Sequence, residues 1–189
     1  GANLAITGPD AKVNNGTMRA TNGGRLLINT VVTGSGAFES SCFGILRGGC
    51  TPPPMLTVTS AGSITADILS AINGVIRVKG DASVNINGAV TLDQGGVYNG
   101  VVPTSASLFA ESVSIGSGDG LAAQMRLQDQ MNVVVAGSFT MSCGTLLRGG
   151  CTPPPDLLVL DSAIMDINGS MILNANVGIT VLAGTTFTL

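Results

Sequence analysis

Apolar and polar residues alternate with a period of two along much of the chain. Clear examples are segments 55–59, 75–79, 84–87 and 179–182, in which every second side chain is aliphatic. These short segments are rich in Val, Ile and Thr, the residues that β-strands prefer. The pattern therefore predicts strands with one buried side, and an all-β fold.

Turn signals separate these segments. Asn-Gly pairs accept the positive φ angles that tight turns require, and they occur at 15–16, 22–23, 73–74, 87–88, 99–100 and 168–169. The glycine-rich stretch 116–120 also predicts a turn. Segment 121–130 has some helical character, but we predict strand and loop there because its counterpart at 23–30 has that pattern.

Short, regularly spaced strands fit two architectures, a β-solenoid of stacked β-arches or a β-sandwich of the jelly-roll kind. Sandwich cores usually contain large aromatic side chains, whereas this chain has one Tyr, five Phe and no Trp. We therefore predict an all-β β-solenoid or stacked β-arch fold, with the β-sandwich as the alternative.

One segment occurs twice. SCFGILRGGCTPPP at 41–54 and SCGTLLRGGCTPPP at 142–155 agree at eleven of fourteen positions and lie 101 residues apart. The same offset aligns Arg25-Leu26 with Arg126-Leu127, Val32 with Val133, Phe38 with Phe139, and Leu56 with Leu157. The chain is therefore predicted to be a tandem duplication. Residues 1–101 form the first copy with Cys loop 42–54, and residues 102–189 form a second, shorter copy with Cys loop 143–155.

The cysteines form two matching pairs, Cys42 with Cys50 and Cys143 with Cys151, which suggests an oxidising, extracellular setting. A disulfide within each loop is the first interpretation, and disulfides between chains are the second. A metal or redox site is the third. Zinc sites normally use more closely spaced cysteines with further ligands, and the chain has no His. We therefore predict no metal and no cofactor.

Other residues of the two loops are candidates for assembly. Arg47 and Arg148 occupy matching positions, where they could bind carbonyl groups of their own loop or a carboxylate of a neighbour. Prolines cannot donate to a strand ladder and prefer an extended course, so each loop is predicted to project from the sheet. The prolines concerned are Pro52, Pro53, Pro54, Pro153, Pro154 and Pro155.

Charge is sparse, at 10% of residues against roughly 25% in typical domains. The net charge is −3, and the eight cations are scattered singly along the sequence, which predicts no basic patch and no nucleic-acid partner.

No apolar run approaches the roughly 18 residues of a transmembrane helix. A start at Gly1 without Met is expected of a processed form or a fragment. Sparsely charged surfaces tend to associate.

Catalysis is not predicted. Without His, acid–base chemistry would need paired carboxylates, and only Asp156, Asp161 and Asp166 crowd together. Alternation could place Asp156 and Asp166 on one face, but it supplies no nucleophile or partner base. We therefore expect no enzyme activity and no small-molecule substrate. Asn15 and Asn168 begin N-glycosylation sequons and are candidate acceptors.

Segments 62–92 and 166–189 stack Val, Ile, Leu, Ala and Met between Gly, Asn and Ser. In this pattern they resemble rungs of secreted bacterial β-helical proteins, namely filamentous-haemagglutinin-like adhesins and autotransporter passengers. The resemblance implies an elongated β protein at the cell surface. The cysteine pairs and the Pro-Pro-Pro loops depart from that family and favour a cross-linked envelope protein, such as a prokaryotic sheath subunit.

The function predicted from these features is structural. Few Lys residues, and prolines concentrated in the two loops, leave most sheet edges unprotected against pairing with another chain. We therefore expect a secreted subunit that partners with itself and forms a disulfide-stabilised extracellular filament, sheath or surface layer of amyloid-like, cross-β character. The alternative is an adhesin or receptor-binding passenger of a cell-surface or phage fibre protein.

Overall fold

The computed structural model describes residues 2–42, 50–118, 121–143, 154–174 and 176–189, and within these ranges the regular structure is entirely β. The strands are β1 (Asn3–Ile6), β2 (Lys12–Val13), β3 (Thr17–Thr21), β4 (Arg25–Ile28), β5 (Val31–Thr33), β6 (Ala37–Ser41), β7 (Met55–Val58), β8 (Ser63–Ile72), β9 (Val75–Gly80), β10 (Ser83–Asp93), β11 (Val97–Thr104), β12 (Ser107–Gly118), β13 (Leu121–Ala122), β14 (Gln124–Leu127), β15 (Asn132–Cys143), β16 (Asp156–Val159), β17 (Ile164–Ile167), β18 (Ser170–Asn174), β19 (Gly178–Val181) and β20 (Thr186–Thr188).

The chain winds as a β-solenoid with two sheets, which are parallel except for the antiparallel β12–β13 pair. The first sheet, called row 1, has the order β1-β4-β7-β9-β11-β14-β16-β19. A coil is one row 1 strand together with the strands that follow it in the second sheet. The eight row 1 strands therefore define seven complete coils and the beginning of an eighth. The predicted β-solenoid is confirmed.

Each coil crosses the second sheet in two segments, called row 2 and row 3. In coils 1, 2 and 7 the segments are separate strands, such as β2 and β3, whereas in coils 3 to 6 one long strand spans both. The ladder register shifts between Ile86 and Ala89 of β10, where row 2 passes into row 3. This shift lets both segments point alternate side chains into the core.

The core is built of columns of apolar side chains stacked in register. Leu26, Leu56, Ile76, Tyr98 and Met125 form one column of row 1, and all five are buried. A row 3 column is formed in the same way by Phe38, Leu69, Val90, Val113 and Phe139. Because side chains alternate along a strand, the same register stacks the outward residues in columns of their own.

Glycines at the connections let successive coils approach closely. A Cβ at Gly74 would collide with the carbonyl oxygen of Ser40, and one at Gly96 would collide with the carbonyl oxygen of Ala71. Both contacts are with backbone of the coil before, which cannot move aside without disturbing the ladder. Glycine at these positions is therefore a requirement of the stacking.

Segment 121–130 contains β13, β14 and a turn, so the predicted strand and loop are confirmed. Two predicted turns are wrong. Asn87-Gly88 lies inside β10 at the register shift, and Asn99-Gly100 lies inside β11. At the second site the parallel ladder overrides the local turn preference, and a Cβ at Gly100 would collide with the sulfur of Met131.

The 101-residue offset of the sequence corresponds to four coils. Phe38 and Phe139 share a column in coils 2 and 6, and the ladders align Val32 with Val133 in the same way. The match fails at Arg25, whose column partner in coil 6 is Gln124. The proposed boundary after residue 101 lies inside β11, and the division into two copies stays a prediction.

Candidate functional site

Both Cys loops leave the solenoid at the same kind of connection, from row 3 to row 1. The first lies between β6 and β7 in coil 2, and the second lies between β15 and β16 in coil 6. Strands of a sheet are about 4.8 Å apart, so four coils separate the two loops by about 19 Å along the axis. The strands that flank the two loops therefore place both connections on one edge of the solenoid.

The base of the first loop is closed within the chain. Cys42 and Cys50 form a disulfide with a Cα–Cα distance of 5.9 Å, as the intrachain interpretation expects. The buried Cys42 also donates its N–H to the carbonyl oxygen of Ile72 at 3.0 Å. Cys143 is likewise disulfide-bonded. Arg47, Arg148, Cys151 and Pro153 are among the residues that the structure does not describe.

The two proline runs were predicted to project from the sheet, but the last proline of each run lies within the solenoid. Pro54 is buried, and its carbonyl oxygen accepts the Val75 N–H at 2.9 Å and the Ser40 hydroxyl at 2.8 Å. Pro155 is also buried, and its carbonyl oxygen accepts the Gly178 N–H at 2.9 Å. A proline lacks a donor but keeps its acceptor, so the last proline can continue the ladder. Pro52, Pro53 and Pro154 are exposed.

The first and last coils each have an edge that pairs with no other described strand. At the β1 and β2 edge, Leu4 is 58% exposed and Val13 is 69% exposed. At the opposite end, Leu173, Val181 and Leu182 are also exposed. Most of these residues continue the inward columns, so aliphatic surface and unpaired backbone groups coincide at both ends.

Four cations converge on the outward side of row 1, although they are scattered in the sequence. Arg25, Arg77, Lys79 and Arg126 all point away from the core, and Arg77 shares a column with Arg126 two coils further on. The prediction of no basic patch is therefore wrong. Loop insertions of different length hide the column spacing in the sequence.

Only Asp156 places a carboxylate on this side of row 1 among the described residues. The described outward positions of row 1 carry four cations and one carboxylate, a formal charge of +3. The other described residues carry two cations and nine carboxylates, a charge of −7. One of those two cations, Arg19, forms an ion pair with Glu39 on row 3. Charge is therefore segregated by side of the solenoid.

Carboxylates concentrate at the connections from row 1 to row 2, which carry Asp10, Asp81, Asp129 and Asp161. A recess of about 440 Å³ is lined there by Asp81, Ser105 and Asp129. One oxygen of Asp129 accepts the Thr104 N–H at 3.0 Å. In the part of the chain that is described, no cluster of three or more potential metal ligands occurs.

The acidic cluster of the sequence does not share a face. Asp156 lies in row 1, Asp161 lies in the connection and Asp166 lies in row 2, so the suggested pairing of Asp156 with Asp166 is wrong. Their strands, β16 and β17, belong to different sheets, which alternation within one strand cannot reveal.

Asn15 and Asn168 are both exposed and lie in connections from row 2 to row 3. The side-chain oxygen of Asn15 accepts the Ser35 N–H at 3.3 Å. Glycosylation of these two residues stays a prediction.

Tyr98 is the only tyrosine of the chain, and it is buried in the central row 1 column. Its hydroxyl has no hydrogen-bond partner among the described residues. Burial raises the pKa of this phenol above its ordinary value, because the ionised form would lose its hydration.

Comparisons of the chain with models of protein families, with curated proteins and with solved structures each found no match. Among the residues that the structure describes, no helix has the length and apolar character needed to span a lipid bilayer.

Proposed function

We propose that this chain is a structural subunit that self-assembles through the strand edges of its solenoid. The product would be a disulfide-stabilised extracellular filament, sheath or surface layer. The observation that carries the proposal is the coincidence of unpaired parallel strand edges with exposed aliphatic columns at both ends of the described coils. Such edges template the addition of further strands.

The two ends offer compatible columns for head-to-tail stacking. If coil 8 of one copy lay on coil 1 of the next, Ile179 would continue into Leu4, and Val181 would continue into Ile6. Lys12 would stack on Phe187, a pairing that a cation–π contact favours. The joint would therefore bury the apolar side chains of row 1 that the ends leave exposed.

The charges of the two ends favour this polarity. Described residues 2–42 carry three cations and two carboxylates, whereas residues 154–189 carry three carboxylates and no cation. Opposite formal charges, +1 and −3, favour a head-to-tail joint over a joint between two identical ends.

The Cys42–Cys50 disulfide supports the extracellular setting, since disulfides persist mainly in oxidising compartments. Closing a loop of this size restricts the unfolded chain by about 2–3 kcal/mol. The bond therefore stabilises each subunit at its loop corner, and we expect the assembly to loosen fully only when heat is combined with a thiol.

The test is sedimentation velocity and electron microscopy of the purified chain over rising protein concentration. We expect concentration-dependent elongation, with a repeat of about 4.8 Å along the long axis in fibre diffraction. Gels of the product, boiled and unboiled, with and without thiol, should show an immobile band that collapses only under combined treatment. A chain that stays monomeric at every concentration would refute the proposal.

A further inference from the structure

We propose that the outward side of row 1 binds the acidic edge of a neighbouring copy, so that solenoids associate side by side. The basic face is defined by Arg25, Arg77, Lys79 and Arg126, and the acidic edge by Asp81, Asp129 and Asp161. The inference rests on the proposed function only in taking a second copy as the partner. It concerns a different surface from the coil ends.

Among the described residues, the cations of the basic face form no ion pair within the chain, and Arg126 donates its Nε–H to the side-chain oxygen of Gln128 at 3.0 Å. Arg25, Arg77 and Lys79 line a shallow groove of about 440 Å³ on the outward side of row 1. The Nε of Arg77 is buried, yet it has no hydrogen-bond partner among the described residues. A buried donor without an acceptor is costly, and a shift of this side chain toward a carboxylate on a neighbouring copy would remove that cost.

The acidic edge has the shape and charge to receive such side chains. Asp81 is exposed and Asp129 is half-buried, and the small Ser105 lies in the coil between them. This arrangement leaves the recess that the two carboxylates flank. The recess gives a long arginine side chain room to reach a carboxylate from the side.

The two surfaces have the same spacing along the axis. Arg77 and Arg126 lie in coils 4 and 6, and Asp81 and Asp129 lie in the same two coils. Each pair is therefore separated by about 10 Å, two strand spacings. Two parallel solenoids with their coils at one level would place Asp81 opposite Arg77, and Asp129 opposite Arg126.

Because the contacting surfaces differ, the contact is heterologous and each copy keeps one free surface of each kind. Copies can therefore be added repeatedly, which widens a single filament of subunits into a bundle or layer. Exposed ion pairs are screened by salt, so this lateral contact is expected to be more salt-sensitive than the apolar joint between coil ends.

The experiment compares the width and the length of assemblies of the full chain in about 20 mM and about 500 mM NaCl, where the screening length shrinks severalfold. Electron microscopy measures the width, and sedimentation measures the associated mass. The wild-type chain should form bundles at low salt and single filaments, one subunit wide, at high salt. The double variant Arg77→Gln/Arg126→Gln should form single filaments at both salt concentrations. Its side-by-side association should be about tenfold weaker than that of wild type at low salt.

A matched control removes one cation outside the basic face. Arg19→Gln makes the same change in net charge as the single variant Arg77→Gln, and it should leave the bundle width at low salt unchanged. Charge exchange supplies the stronger test. Arg77→Glu/Arg126→Glu and Asp81→Lys/Asp129→Lys should each fail to bundle alone, and a mixture of the two should form bundles. Circular dichroism confirms that each variant is folded.

Bundles of the Arg77→Gln/Arg126→Gln variant that equal those of wild type would overturn the proposal. So would an equal loss in the control, or a mixture that fails to bundle. If the variant loses binding to a polyanion such as heparin while its bundles persist, the basic face serves an anionic polymer instead. Failure of end-to-end growth would contradict the proposed function but not this inference. Salt-sensitive side-by-side dimers would still be detected by sedimentation.

Discussion

The central coils and the terminal coils contain the same kinds of residue in the same columns, yet the side chains lie in different environments. Leu56 in coil 3 is completely buried, whereas Leu4, at the same column position in coil 1, is 58% exposed. The difference arises because each coil is covered by the coils on either side of it. Burial in this fold is therefore a property of stacking, and an end coil lacks half of its cover.

The largest expected effect on stability comes from shortening a leucine of the central coils, compared with the same change in coil 1. Leu56→Ala should lower the free energy of unfolding by about 2–5 kcal/mol, because it opens a cavity between coils 2 and 4. Leu4→Ala should cost less than about 1 kcal/mol, since most of that side chain already contacts water. Urea unfolding followed by circular dichroism in dilute solution measures both. Equal losses would show that the end coil is as well covered as the centre.

The close approach of central coils can be tested at the glycines. Gly74→Ala should destabilise the fold by about 1–3 kcal/mol, because the new methyl group collides with the carbonyl oxygen of Ser40. Gly16→Ala in coil 1 is the matched control. Nothing lies within 4 Å of its added Cβ, so the change should stay within about 0.5 kcal/mol of wild type. The same urea titration decides, and a tolerated Gly74→Ala would contradict the stacking.

A smaller effect is expected from the buried phenol of the central column. Its folded-state pKa is raised by burial, so stability is complete below the unfolded-state pKa of about 10 and is lost as the pH rises above it. Tyr98→Phe should remove this alkaline loss. At neutral pH it should be neutral or stabilising by up to about 1 kcal/mol, because the hydroxyl has no described partner.

Absorbance near the tyrosinate band reports ionisation of Tyr98 without interference, since the chain has no other tyrosine and no tryptophan. The phenol should ionise together with unfolding when the pH is raised. Ionisation near its ordinary pKa in the folded chain would show that Tyr98 is accessible to water.

The strands of this fold could be predicted because alternation is a local property. Segments 75–79 and 84–87 show it in the sequence, and both lie in strands. The Cys-loop repeat also indicated a repeating architecture, and its offset proved to match four coils at Phe38 and Phe139. Alternation depends on neighbouring residues, and the repeat depends on identical residues in two segments. Both can be recognised in one sequence.

Relations between coils could not be predicted, because they depend on the length of every connection. The loops after Ser41 and Cys143, and the β12–β13 hairpin, lengthen some coils and not others. Arg77 and Arg126 consequently share a column without a constant spacing to reveal it. The Asn99-Gly100 turn was mispredicted for a similar reason, since β9 pairs with both residues and β14 pairs with Asn99.

The exposed end columns are proposed to be joints between copies, and one substitution in coil 8 tests this proposal. Val181 continues an inward column of row 1 and is 44% exposed, while Ile68 is 47% exposed on the outward side of coil 3. Val181→Lys would bury an unpaired charge in the joint, so the concentration needed for elongation should rise at least about 100-fold. Ile68→Lys should elongate as wild type does. Equal elongation by the wild type and both variants, measured by sedimentation, would contradict the account.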